Sequence, residues 1–94
     1  MTFQEFSNSL RQDAPPLVPP LLRALWHDAK GNWNEAHRVA QDTEGADAAW
    51  VHAYLHRKEG DLSNAAYWYR HAGQPVASGD FASEWECLCR ALIV

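Results

Sequence analysis

The sequence predicts an all-α protein of about six helices, arranged as two stacked antiparallel helical hairpins with one flanking helix at each end. A glycine followed by a helix-capping residue occurs twice between helix-compatible stretches, at Gly31-Asn32 and at Gly60-Asp61. No long alternating run of β-branched residues indicates a strand. The hairpins are expected at about residues 18–43 and 47–73, within a single domain that covers residues 1–94.

The N-terminal segment predicts a short helix followed by a stiff connector. Residues 2–5 (TFQE) match a capping box, and Phe6 and Leu10 continue an apolar helical stripe that must dock on the rest of the chain. Four prolines within residues 13–20 exclude a regular helix and favour an extended connector. A ligand for a proline-binding module is the alternative interpretation of this segment. A helix is expected to begin near Pro20, since proline suits the first helical position.

The central hairpin is predicted to turn at Gly60 and Asp61. Residues 49–59 contain no glycine or proline and end in basic residues, which favour a helix C-terminus. Gly60 can adopt the positive φ that ends this helix, and Asp61 can accept hydrogen bonds from the free amides of the next one. Because the connection is so short, the two helices are expected to be antiparallel. Gly73 and Pro75 should end the second helix.

The same pattern occurs 29 residues earlier in the chain. Residues 31–36 (GNWNEA) align with residues 60–65 (GDLSNA), and this offset places His27 on His56. Asn32 then takes the capping position of the first turn. An internal repeat of about this length indicates stacked helical hairpins.

These residues resemble the tetratricopeptide and Sel1-like repeat families. The resemblance rests on small residues before the G-[DN]-[LW]-x-x-A turn and on Tyr69 and Ala72 after it, and it covers roughly residues 18–75. It implies stacked hairpins whose first helices present an inner binding face. The whole chain also resembles a group of short bacterial proteins without an assigned role, a similarity that implies no chemistry.

The resemblance implies a non-catalytic module that binds another protein or a peptide. By the repeat register, the partner-binding residues are Asp28 in the first hairpin and Trp50, Tyr54, Arg57 and Lys58 in the second. Two aromatic rings and a guanidinium suit a peptide with an acidic residue or a free C-terminus. Arg57 and Lys58 are expected to be exposed. Burial of Trp50 or Tyr54 under a terminal helix is the alternative.

A last helix is predicted after residues 78–80. Its apolar face comprises Phe81, Trp85, Leu88 and Leu92. This helix is expected to cover the last hairpin, and a homodimer contact through Trp85 and residues 91–94 is the alternative. Cys87 and Cys89 point to different sides of a helix and are therefore expected to be free thiols.

The histidines are the most suggestive chemical feature. His52 and His56 are four residues apart and share a helix face, a spacing that suits a metal ion. His27 would join them if the first helices of the two hairpins lie side by side, and Asp28 and His37 are further candidates. Hydrogen-bonded interior histidines are the interpretation that the sequence favours, because no HExxH motif, nucleophile or oxyanion donor accompanies them.

We therefore expect no enzyme, no cofactor and no bound metal. The alternative is a small metal- or ligand-binding protein, or an enzyme, centred on His27, His52 and His56. A net charge of −4 argues against nucleic acid as a partner, since nucleic-acid binding needs a clustered basic face. The apolar runs are too short for the ~20 residues of a membrane span, and no signal peptide opens the chain, so we expect a cytoplasmic protein.

Overall fold

A computed structural model describes residues 1–93, and it confirms the all-α prediction. The helices are α1 (Phe3–Asn8), α2 (Pro20–Ala29), α3 (Trp33–Gln41), α4 (Ala46–Glu59), α5 (Leu62–Ala72) and α6 (Phe81–Leu92), and a 3-10 turn at Ser9–Arg11 extends α1. Residues 1–93 contain no strand. None of these helices is both long enough and apolar enough to cross a membrane.

Two antiparallel hairpins, α2–α3 and α4–α5, form the centre of the fold, and α3 packs on α4 so that the hairpins stack. Both predicted turns are present. Gly31 and Gly60 adopt φ angles of +85° and +93°, in the left-handed region that a side chain disfavours. The side chains of Asn32 and Asp61 accept hydrogen bonds from backbone amides one turn later, at 3.2 and 3.3 Å. The turn chemistry therefore acts as the sequence predicts.

Small residues allow the two helices of the second hairpin to approach closely. Ala53 on α4 and Ala65 on α5 are buried, and they pack with the ring of Tyr69. Trp50 contacts this cluster and also the larger core formed by α2, α3, α4 and α6. The half-buried indole of Trp50 therefore joins the two parts of the interior.

The short helix α1 docks through one buried ring and several hydrogen bonds. Thr2 and Glu5 form the predicted capping box, with the two bonds at 3.1 and 2.8 Å. Phe6 is fully buried. The Lys30 ammonium donates to the Leu10 carbonyl at 2.7 Å, which ties the end of α2 to the segment after α1. These contacts compensate for the marginal stability of so short a helix.

The C-terminal helix α6 lies across the first helices of both hairpins, α2 and α4, and also contacts α1. The Trp85 indole stacks near Phe6, with ring centroids 6.0 Å apart, and donates to the Leu25 carbonyl at 2.9 Å. Leu88 and Cys89 are fully buried. The prediction that α6 covers the last hairpin is therefore incomplete, because the apolar face of α6 needs the combined surface of α2 and α4 to bury it.

The homodimer contact at the end of α6, the alternative that the sequence left open, stays a hypothesis. Its aromatic residue, Trp85, packs inside the protein against α1 and α2. Val94 lies outside the described residues. A second copy would therefore have to dock without most of the Trp85 ring.

Candidate functional site

The residues predicted for partner binding lie largely beneath α6. Asp28 and Tyr54 are buried, and Trp50 is half-buried. Burial of Tyr54 is the alternative that the sequence left open. Lys58 is exposed, as expected, but the prediction of an exposed Arg57 is wrong, because α6 places an acidic residue beside this guanidinium.

Asp28, Tyr54 and Lys58 form a hydrogen-bonded group, the Asp28 cluster, between α2 and α4. The Tyr54 hydroxyl donates to Asp28 Oδ2 at 2.6 Å, and Lys58 Nζ donates to Asp28 Oδ1 at 3.0 Å. Burial raises the pKa of the Tyr54 phenol, and the adjacent Asp28 carboxylate raises it further. Tyr54 therefore remains a donor, and both oxygens of this buried carboxylate are satisfied from within the protein.

A second buried carboxylate, Glu84, fastens α6 to the second hairpin. Arg57 Nη1 donates to Glu84 Oε1 at 2.8 Å, and the Tyr69 hydroxyl donates to Glu84 Oε2. The Arg57 guanidinium also donates to the Gly79 carbonyl and lies 4.8 Å from the ring centroid of Phe81. One feature of the sequence indicates that Glu84 is buried. It lies four residues before Leu88 and therefore shares the apolar face of α6.

Phe81, at the N-terminus of α6, separates two open concavities. One has a volume of about 330 Å³ and is lined by the Asp28 cluster together with Trp85. The other has a volume of about 430 Å³, and its walls include Leu62 and Val76. Leu62, Val76 and Phe81 are 67%, 61% and 40% exposed, which makes the second concavity an apolar surface in contact with solvent.

Three histidines form a separate cluster between α3 and α4. His37 lies on α3, and His52 and His56 lie one turn apart on α4. One ring nitrogen of each lies within 4.8 Å of those of the other two. His52 Nε2 is 2.9 Å from His37 Nε2, a hydrogen-bonding distance. We call these three residues the histidine cluster.

Aromatic rings surround the histidine cluster, and two of its three side chains are buried. Trp33 stacks on His37 and Trp68 stacks on His52, with ring centroids 4.8 and 4.1 Å apart. His52 and His56 are buried, whereas His37 is half-buried. Burial, with a smaller contribution in the same direction from the nearby His37 and His56, lowers the pKa of His52 to about 4. Burial also lowers the pKa of His37, so both rings are neutral at pH 7.

His27 lies outside the histidine cluster, so the alternative in which His27 converges with His52 and His56 does not occur in this fold. Its ring packs against Trp26 on α2, with centroids 5.3 Å apart. The reason is the order of packing, since α4 contacts α3 more extensively than it contacts α2. The first hairpin therefore meets His52 through α3, which supplies His37, a residue that the sequence marked only as a further candidate.

The two cysteines are unpaired, as predicted. Burial raises the pKa of the Cys89 thiol to about 12, with smaller contributions from the charges of Glu86 and Asp28. A thiol with this pKa is a poor nucleophile at neutral pH. Cys87 is exposed on the opposite side of α6.

A scan against protein-family models, a search of curated proteins and a search of solved structures each returned no match.

Proposed function

We propose that this protein is a non-catalytic interaction module of tetratricopeptide-like hairpins that binds an apolar segment of a partner protein beside Phe81. This proposal rests on one observation: Leu62, Val76 and Phe81 line the same concavity. Each of these apolar side chains is at least 40% exposed to solvent. Single exposed apolar residues are ordinary on a protein surface. Several that converge on one concave surface are typical of a binding site.

The shape of this surface favours a peptide that crosses Phe81. An apolar side chain of the peptide would enter the concavity lined by Leu62 and Val76. On the far side of Phe81, the exposed Lys58 ammonium donates only one of its three hydrogens to Asp28. It can therefore also receive an acidic residue or a free C-terminus of the peptide. Trp50 lines a different concavity beside Glu84, and we leave it out of the proposed surface.

The hydrogen bonds of the two buried carboxylates and the protonation of the buried thiol support a binding role over a catalytic one. Both oxygens of Asp28 and of Glu84 accept hydrogen bonds from neighbouring side chains, so both carboxylates have a structural role that joins the helices. The Cys89 thiol is protonated at neutral pH. The unpaired cysteines suit a reducing compartment, and on that ground we place the module in the cytoplasm.

Selection from a displayed random-peptide library tests this proposal even though the partner is unidentified. The parent protein should enrich peptides with a shared apolar anchor. A double variant, Leu62→Ser with Val76→Ser, should bind the selected peptides at least ~10-fold more weakly, because it removes apolar contact at the centre of the surface. Tyr67→Ser is the matched control, since Tyr67 is also an exposed residue of α5 but does not line the concavity.

A chemical change in the peptide tests the Lys58 side of the surface. Where a selected peptide binds through its C-terminus, amidation should weaken binding by about 10-fold, because it removes the charge that Lys58 meets. Unchanged binding of the selected peptides to the Leu62 and Val76 double variant, or no enrichment on the parent, would show that this surface is not the binding site.

A further inference from the structure

The histidine cluster has the composition and the spacing of a metal site. We propose that His37, His52 and His56 bind one divalent transition-metal ion of the zinc type, with water as the fourth ligand. Their ring nitrogens lie within 4.8 Å of one another, and they come from two packed helices. None of the three lines the concavities beside Phe81, so this inference does not depend on the proposed partner surface.

The distances in the cluster lie close to those of a three-histidine site. Zinc–nitrogen bonds of about 2.0–2.1 Å in tetrahedral geometry place two ligand nitrogens about 3.3 Å apart. The two Nε2 atoms of His37 and His52, now 2.9 Å apart, would have to separate by about 0.4 Å. The widest separation in the cluster is bounded by 4.8 Å and would have to close by about 1.5 Å at most. Small side-chain rotations produce movements of this size while α3 and α4 stay in place.

Glu59 orients one of the three ligands. His56 Nδ1 lies 2.7 Å from Glu59 Oε1, so Nδ1 carries the proton and Nε2 presents its lone pair. The Asn64 amide nitrogen is 3.4 Å from this Nε2, too far for a strong competing hydrogen bond. A carboxylate behind a ligating histidine is a common feature of zinc sites, and it also places a negative charge near the ion.

His37 and His52 can both offer a lone pair after one tautomeric change. Their Nε2 atoms share a hydrogen bond, so one ring donates and the other accepts. When a metal ion binds, the donating ring moves its proton from Nε2 to Nδ1, and both Nε2 atoms become ligands without net proton release. Trp33 and Trp68 hold the two rings by stacking, and the half-buried His37 leaves a route for the ion from solvent.

Titration of chelator-treated protein with Zn²⁺ by calorimetry tests the site, and Co²⁺ provides a spectroscopic probe. The parent should bind one equivalent of Zn²⁺, and Co²⁺ should give the strong visible absorption of a four-coordinate ion. His37→Phe keeps the aromatic stack on Trp33 but removes a ligand, so it should bind at least ~100-fold more weakly. Glu59→Gln should lower the affinity by about 10- to 100-fold, as removal of an outer hydrogen-bond partner does.

Two matched controls distinguish a specific three-histidine site from nonspecific Zn²⁺ binding by individual histidines. His27→Phe and His71→Phe each remove one histidine outside the cluster, and neither should change the affinity. Circular dichroism of each variant checks that the helices remain. Equal Zn²⁺ affinity in the parent and in His37→Phe overturns the proposal, as does weak binding of several equivalents that every variant shares.

Discussion

Replacement of Arg57 by alanine should lower the free energy of unfolding of this protein more than almost any other substitution of a charged residue. The guanidinium is the cation of a nearly buried ion pair, in which the Arg57 and Glu84 side chains are only 12% and 7% exposed. The variant leaves the Glu84 carboxylate in place, and the Tyr69 hydroxyl is then its remaining donor within the protein. A buried carboxylate without a counter-charge strongly favours the unfolded chain, where water solvates it.

The magnitude follows from this loss. Removal of one partner from a buried ion pair typically destabilises a protein by about 3–5 kcal/mol. Because Tyr69 still donates to Glu84, we expect the low end of this range, about 3 kcal/mol. The total free energy of unfolding of a 94-residue chain is about 5–14 kcal/mol, so this change removes a large fraction of it. The melting temperature should fall by roughly 12–24 °C.

Urea unfolding followed by tryptophan fluorescence measures the effect. Arg38→Ala is the matched control, because Arg38 pairs with Glu35 and Asp42 but is 59% exposed, and surface pairs of this kind contribute less than about 1 kcal/mol. In a Glu84→Gln background, Arg57→Ala should be far less destabilising, since no buried charge is then left alone. If Arg57→Ala destabilises the parent no more than Arg38→Ala does, the buried pair does not hold α6 in place.

Two further predictions concern a turn and the histidine cluster. Gly60→Val should lower the free energy of unfolding by about 1–2 kcal/mol through backbone strain alone, because φ is +93° and no atom lies within 4 Å of an added Cβ; an unchanged urea midpoint would contradict the turn. The pKa of His52 is about 4 in the folded protein, below its ordinary value of 6.5, so between these pH values the unfolded chain binds the additional proton. The contribution of neutral His52 to stability is fully present above pH 6.5. The free energy of unfolding should decrease by roughly 2–3 kcal/mol as the pH falls from 6.5 to 4. His52→Gln should flatten this part of the curve, and equal slopes in the parent and in the variant would refute the assignment.

The local features of this fold follow from short stretches of sequence. Helix caps and left-handed glycines depend on residues within one turn of each other, so the turns at Gly31 and Gly60 and the capping box at Thr2 are predictable without tertiary information. The apolar face of α6 is predictable for the same reason, because Trp85 and Leu88 recur at helical spacing.

The sites depend on which helices meet, and only the tertiary structure decides that. Arg57 pairs with Glu84, 27 residues away, because α6 crosses α2 and α4. His52 meets His37, and not the repeat-equivalent His27, because α3 contacts α4 more extensively than α2 does. A helical pattern specifies which side of a helix is apolar, but it does not specify the neighbour that covers that side. The packing of all the helices together decides that neighbour. Here it buries Asp28, Tyr54 and most of Arg57, which the sequence pattern placed on a binding groove, and leaves Lys58 exposed.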